Sequence, residues 1–220
     1  MKQLACILFV AGIITMAFFS CSKDDSKVVV KGKVRETGNA KAVEGVTVRL
    51  DHKPVSSSIY TSGFQILATD ITKADGTYKL EFTKTRSSDY RVRLNKKGYF
   101  TVENEYPPAQ FETNSDIYLD FFVYPEAFVR TQIQNVSSYN EQDHIAFRFL
   151  DLRAQCKDCC PSGYIHGYGR YYDTTFVCAT AGEAYLTYEY SVTMNQTTVL
   201  HGPDSVFVAA FDTVDLNITY

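Results

Sequence analysis

The sequence predicts an all-β protein built as two tandem β-sandwiches. Three observations carry that expectation. Apolar and polar residues alternate in short runs along most of the 220-residue chain, the period of a half-buried strand. Turn-forming Gly, Asn, Asp and Pro separate the runs. No apolar run at helical spacing is long enough for a good helix. The clearest stripe is Ala184, Leu186, Tyr188, Tyr190 and Val192.

The first residues read as an address. Lys2 is followed by an almost wholly apolar run from Leu4 to Phe19 without a charge. The run is shorter than the roughly 20 apolar residues that span a bilayer comfortably, so residues 1–20 are expected to be a cleaved signal peptide. Phe18-Phe19-Ser20-Cys21 resembles a bacterial lipobox. Ser22-Lys23-Asp24-Asp25 resembles the acidic tether that routes lipoproteins of some Gram-negative bacteria to the cell surface. The resemblance implies that Cys21 becomes the first mature residue and carries a diacylglyceryl thioether and an amide-linked acyl chain such as palmitate. Residues 21–26 would then be the tether, and the protein would be anchored in the outer membrane, displayed outward. More than one buried acyl chain gives a stable anchor.

Residues 27–125 are expected to form the first sandwich. Val28 to Val34 is a strand with Gly32 inside it, and Thr37-Gly38-Asn39 is a turn. Val43 to Leu50 follows, with Val46, Val48 and Leu50 on one face. Asp51 to Ser58 reads as a polar loop holding Pro54. Ile59 to Thr72 holds one or two strands, broken near Ser62-Gly63. Lys73-Ala74-Asp75-Gly76 lies between two alternating runs and predicts a hairpin. Tyr90 to Lys96 and Ile117 to Tyr124 complete the unit, and Pro125 ends it.

The residues Val30 to Val34, Val43 to Val48, Thr69-Asp70, Asp75-Gly76-Thr77-Tyr78 and Gly98-Tyr99 occur in an order that resembles the carboxypeptidase regulatory-like domain. That resemblance implies a seven-stranded transthyretin-like sandwich with no catalytic residues, serving as a fold-assisting, spacer or binding module. It also implies that Tyr78 packs inward and that Gly45 lets a strand start close to its neighbour.

Residues 126–220 are expected to form a second sandwich of immunoglobulin-like size. Val129, Thr131 and Ile133 alternate with polar residues, as do Ile145, Phe147 and Phe149. After the stripe from Ala184, Val206 to Phe211 and Leu216 to Tyr220 supply the last strands. A chain ending in a strand makes truncation of Leu216 to Tyr220 costly.

The loop from Cys156 to Tyr172 is the chemically richest stretch. With Cys6 lost and Cys21 acylated, Cys156, Cys159, Cys160 and Cys178 remain, and an even number in an exported protein favours two disulfides. Adjacent Cys159 and Cys160 rarely reach disulfide geometry. That leaves Cys156–Cys159 with Cys160–Cys178, or Cys156–Cys160 with Cys159–Cys178. A zinc site would instead use Cys156, Cys159 and Cys178 with His166 or Cys160, although the paired spacing of a strong zinc motif is missing. No metal and no cofactor is expected.

Tyr164, Tyr168, Tyr171 and Tyr172 sit among glycines in this loop, and are the candidate ligand-binding residues. Tyrosine offers a flat apolar face and a polar hydroxyl, suited to sugar rings or a protein partner. Asp173-Thr174-Thr175, Asp204-Ser205-Val206 and Asp212-Thr213-Val214 resemble a bacterial O-glycosylation acceptor, making Thr174, Ser205 and Thr213 candidates.

Charge and motif exclude several classes. The chain carries 22 basic and 25 acidic residues, a net charge of −3, which argues against general nucleic-acid binding. Arg91, Arg93 and Lys97 read as a solvated sheet face. His52, His144, His166 and His201 form no His-Glu-x-x-His arrangement, and no Gly-x-Ser-x-Gly elbow, Walker loop or dinucleotide fingerprint occurs. His144 with Glu141 and Asp143 reads as solvated surface near a strand start. The expected function is therefore non-catalytic: a membrane-anchored module that binds a glycan or protein ligand. A structural subunit of a surface fibre or envelope complex is the other class, with oligomeric state open.

Overall fold

The structure is a computed structural model that describes residues 27–56, 59–60, 63–111, 116–153 and 156–220. The expected signal peptide, tether and Cys21 lie outside the described residues. Strands dominate throughout. The first unit contains β1 (Lys27–Glu36), β2 (Thr47–Ser56), β3 (Ile59–Tyr60), β4 (Gln65–Ile71), β5 (Thr77–Thr83), β6 (Ser87–Asn95), β7 (Val102–Tyr106), β8 (Ile117–Tyr118) and β9 (Phe121–Val123). One sheet runs β5-β1-β8, with β9 also pairing β1, and the other runs β3-β2-β6-β7, with β4 also pairing β2.

Alternation decides which face is buried. Val28, Val30 and Val34 of β1 meet Val48 and Leu50 of β2 and Tyr90, Val92 and Leu94 of β6 in one core. Tyr90 and Phe111 stack at its centre, ring centroids 4.5 Å apart. Tyr78 points into this core as expected, and its buried hydroxyl donates to the Leu119 carbonyl at 2.7 Å. Gly32 is where that carbonyl crosses β1. A Cβ there would lie 1.9 Å from Leu119 O, so no larger residue fits.

Three expectations for this unit are corrected. The Lys73–Gly76 turn is not a hairpin: β4 pairs with β2 and β5 with β1, so the chain crosses here between opposite sheets. Thr72 holds that corner from within the core. Its hydroxyl donates to Val43 O at 2.7 Å and accepts from Val46 N at 2.9 Å. Second, Asp51 to Ser56 continues β2 instead of looping out, because Asp51 is paired on both sides. Arg49 Nε lies 2.8 Å and Arg91 Nη2 2.9 Å from its carboxylate, which is 1% exposed. Third, Gly45 serves through its φ of +72°, not through close packing: the nearest atom a Cβ would meet is 3.9 Å away.

The second unit contains β10 (Glu126–Gln134), β11 (His144–Leu150), β12 (Ile165–Tyr168), β13 (Asp173–Ala181), β14 (Ala184–Met194), β15 (Thr197–Val208) and β16 (Thr213–Thr219). Its sheets run β13-β10-β16 and β12-β11-β14-β15. Ala127, Val129, Ile133, Ile145, Phe147 and Phe149 form its core with Leu186, Val208, Leu216 and Ile218. β16 lies parallel to β10 along its whole length, and Leu216, Ile218 and Tyr220 are buried. Two elements differ from expectation. Residues 165–168 are a strand inside the supposed loop, and β15 begins nine residues before Val206.

The chain passes from one core to the other with only Tyr124 and Pro125 between β9 and β10. The Gly98–Phe100 turn holds this junction: Glu126 N donates to Gly98 O at 2.8 Å and Phe100 N to Tyr124 O at 2.9 Å. Tyr99 meets Phe211 of the second unit edge-on, with ring centroids 5.3 Å apart.

Candidate ligand-binding face

The face grows from the pairing of β11 with β12. The register sets His144 opposite Tyr168 and Ala146 opposite His166. Ile145, Phe147 and Phe149 point into the core, so His144 and Arg148 point out. Along β12 the same period sends Ile165 and Gly167 inward and leaves His166 and Tyr168 outside, continuing from exposed Tyr164. Gly167 must be glycine at this point. A Cβ would lie 2.3 Å from the Tyr172 ring, which fills the space beneath the edge strand.

The outward side chains make a continuous row. Tyr164 and His166 have ring centroids 6.0 Å apart, and His166 and Tyr168 lie 6.3 Å apart, nearly parallel. His144 enters from the neighbouring strand, 4.5 Å from Tyr168 and 5.2 Å from His166, both within 15° of parallel. Its Nε2 lies 3.0 Å from Nδ1 of His166. Burial, then the neighbouring His166 charge, lowers the His144 pKa below its ordinary value. At the other end, Arg148 lies 4.6 Å over the Tyr164 ring and donates to Glu189 on β14 at 2.7 Å. The row presents ring faces and edges with hydroxyl and imidazole groups along them, a surface suited to stacking on cyclic, hydroxyl-bearing ligands.

A buried carboxylate shapes the adjoining loop. Asp143 is fully buried and accepts from Tyr139 N at 2.7 Å, Asn140 N at 3.1 Å and Asn135 Nδ2 at 3.0 Å. Its own carbonyl accepts from Gly169 N at 2.8 Å, fixing the turn after β12. Burial pushes this carboxyl up, but those three hydrogen bonds and the charge of Arg170 outweigh it and hold the pKa below 3.8. The reading of residues 141–144 as solvated surface is corrected. Asp143 is an internal scaffold and His144 belongs to the ring row.

The sequence candidates separate accordingly. Tyr164 and Tyr168 are brought together through His166. Tyr171 stands apart on the following turn, 81% exposed, with Arg170 5.6 Å from its ring. Tyr172 is half-buried against the second core and is a support, not a contact surface. His144 and His166 were the residues missed as parts of this face. The strand alternation of Tyr164, His166 and Tyr168 was the signal that could have revealed one of them.

The cysteines form Cys156–Cys159 and Cys160–Cys178, with Cα separations of 5.0 and 4.8 Å. The second bond is buried. Backbone bonds from Cys160 N to Ala179 O and from Ala179 N to Asp158 O, both 2.9 Å, strap the loop to β13. All four sulfurs are thus engaged, and His166 faces His144 instead of them. Thr174 lies half-buried on β13, while Ser205 on β15 and Thr213 at the start of β16 are exposed. Asp204 and Asp212 each accept from the next residue's N–H at 2.7 Å.

No family model and no curated protein matches the chain. Among solved structures it is similar to the Bacillus anthracis TIE protein, with 8% identity and a TM-score of 0.37 over 88% of this chain and 34% of that one. A Streptococcal ancillary pilin gives 13% identity and 0.34 over 88% and 63%. The shaft pilin SpaA from Lactobacillus rhamnosus GG gives 13% and 0.32 over 88% and 96%. The chain thus spans about a third of the first of these proteins and less than two thirds of the second. Scores this low assign no family and no activity.

Proposed function

We propose that this is a non-catalytic, lipid-anchored cell-surface protein whose second sandwich, residues 126–220, binds a glycan. The single observation that carries the binding role is the exposed row of Tyr164, His166 and Tyr168 along edge strand β12 and the residue before it, widened by His144. Tyr164, His166 and Tyr168 follow one another along the edge, with His144 stacked on Tyr168 from the neighbouring strand, and the ring surfaces left open offer contacts to a chain of sugar rings. The anchoring rests on the sequence alone, through the apolar leader, Cys21 and its acidic tether. The first sandwich, residues 27–125, serves in this reading as a regulatory-like spacer between membrane and ligand. Its short, hydrogen-bonded junction with the second unit suits a stalk that does not hinge freely.

The chain from Ser22 onward, which holds every residue of both cores, is tested against a panel of host and dietary polysaccharides. Aromatic contacts contribute about 0.5–1.5 kcal/mol each, so Tyr164→Ala/Tyr168→Ala should weaken binding roughly 5- to 150-fold. Binding to none of the polysaccharides, or binding unchanged in the double variant, rejects the glycan reading. A structural, self-associating role is the second reading, and a specific edge of the same sheet favours it.

A further inference from the structure

β15 forms the edge of its sheet opposite β12 and is the longest strand in the structure, Thr197–Val208. Its residues from Thr197 to Ser205 are all exposed. From Tyr190 to Pro203 the chain carries no Asp, Glu, Lys or Arg. Edge strands are normally guarded against pairing by charge, brevity, proline or a bulge. Several other edges carry such guards: β5 has Lys79 and Glu81, β7 has Glu103 and Glu105, β12 has four residues, and β16 carries Asp215, while the far end of edge strand β13 is covered by the Asp158–Cys160 segment bonded to Ala179. On β15 the guards come only at one end, where Pro203 lacks an N–H and the register with β14 shifts between Tyr188 and Tyr190.

Neither face of the unguarded part carries an Asp, Glu, Lys or Arg, and each presents an apolar side chain. Leu200 is 68% exposed on the outer side. On the inner side Val199 and His201 join Tyr190, Val192, Met194 and Tyr220 around an open groove of 330 Å³. The His201 ring stacks on Tyr190 at 4.7 Å, holding that wall in place.

We propose that β15 pairs with β15 of a second copy of this chain, antiparallel about a twofold axis at Val199, and that the two grooves close against each other. Val199 is the middle residue of the uncharged stretch from Asn195 to Pro203. About that centre Thr198 lies opposite Leu200 of the second copy, and Thr197 opposite its His201. No like charges meet, which is what an isologous pairing of one strand with itself requires. The result is an eight-stranded sheet across the dimer, with the free N–H and C=O groups of two edges satisfied.

The test is sedimentation of the Ser22-onward chain at neutral pH over a wide concentration range. The expected result is a concentration-dependent twofold rise in mass. Thr198→Lys/Leu200→Lys places like charges opposite each other at two points and should leave a monomer. Thr198→Lys/Leu200→Glu places opposite charges there and should restore the dimer, which shows that the first variant did not act by unfolding. A wild-type chain that stays monomeric throughout overturns the proposal. So does a Lys/Lys variant that dimerises as the wild type does, a Lys/Glu variant that stays monomeric, or growth into species larger than a dimer.

Discussion

Nε2 of His144 and Nδ1 of His166 face each other at 3.0 Å, so one nitrogen carries the shared hydrogen and the other accepts it. A proton added to the acceptor leaves two donors opposed. The lowered His144 pKa expresses this together with its burial. An unfolded imidazole takes up its proton near 6.5 while the folded one resists, so stability is highest above pH 6.5 and falls as the pH drops from there to the lowered folded value. His144→Phe should therefore lose less thermal stability than wild type between pH 7.5 and 5.5. His52, whose pKa burial also lowers, is present in both proteins and cancels. Equal losses in the two proteins would exclude the pair as the source.

The two disulfides close loops of different length. Cys160–Cys178 spans 18 residues and Cys156–Cys159 spans 3. Chain entropy then assigns about 3 kcal/mol to the first and about 2 kcal/mol to the second. Cys160→Ala/Cys178→Ala should lower the urea midpoint more than Cys156→Ala/Cys159→Ala, and denaturant titration of the two variants decides it.

Gly32 leaves no room for a methyl group beside Leu119 O. Gly32→Ala must push β1 away from the 119–120 segment or shift that segment, at a cost of about 1–3 kcal/mol. The loss should appear in the unfolding of the first core, followed by exchange of the Leu119 amide, which donates to Lys31 O at 3.0 Å. Unchanged exchange and stability would contradict this placement.

Phe211 has a φ of +62°, an uncommon backbone for a bulky residue, and is 56% exposed. Its N–H donates to Glu126 O at 2.8 Å and its ring meets Tyr99. The ring contact offsets the strain by joining the two units. Phe211→Gly relieves the backbone while deleting the contact, so the second core should keep its stability as the junction loosens. Limited proteolysis near Tyr124 and Pro125 should then quicken severalfold. Unaltered cleavage would show that backbone bonds alone hold the junction.

Much of the fold was legible because strand alternation marks buried faces locally. The stripe from Ala184 to Val192 and the inward run Ile145, Phe147, Phe149 needed no tertiary information. What was missed depended on partners distant in sequence. Asp75-Gly76 specifies a turn but not whether the strands it joins share a sheet. Asp51 looked like a loop residue because Arg91, which joins Arg49 in pairing its carboxylate, lies forty positions away. The ring face was half-visible for the same reason: Tyr164 and Tyr168 stood out by type, whereas His144 joins them only through strand pairing. The alternatives for the cysteines could be narrowed by spacing but were decided by how the loop lies on β13.

The ring row and the uncharged edge occupy the two ends of one four-stranded sheet, so occupation of one leaves the other free. Strands stand about 4.8 Å apart, and a twofold axis perpendicular to the sheet keeps equivalent faces on one side. A pair joined along β15 would therefore carry its two rows roughly 34 Å apart, facing the same way. Under the proposed glycan-binding role, such a spacing would favour polymers over single sugars. With one site holding a chain, the second would meet the same chain at high effective concentration, and avidity would replace tight contact at either site.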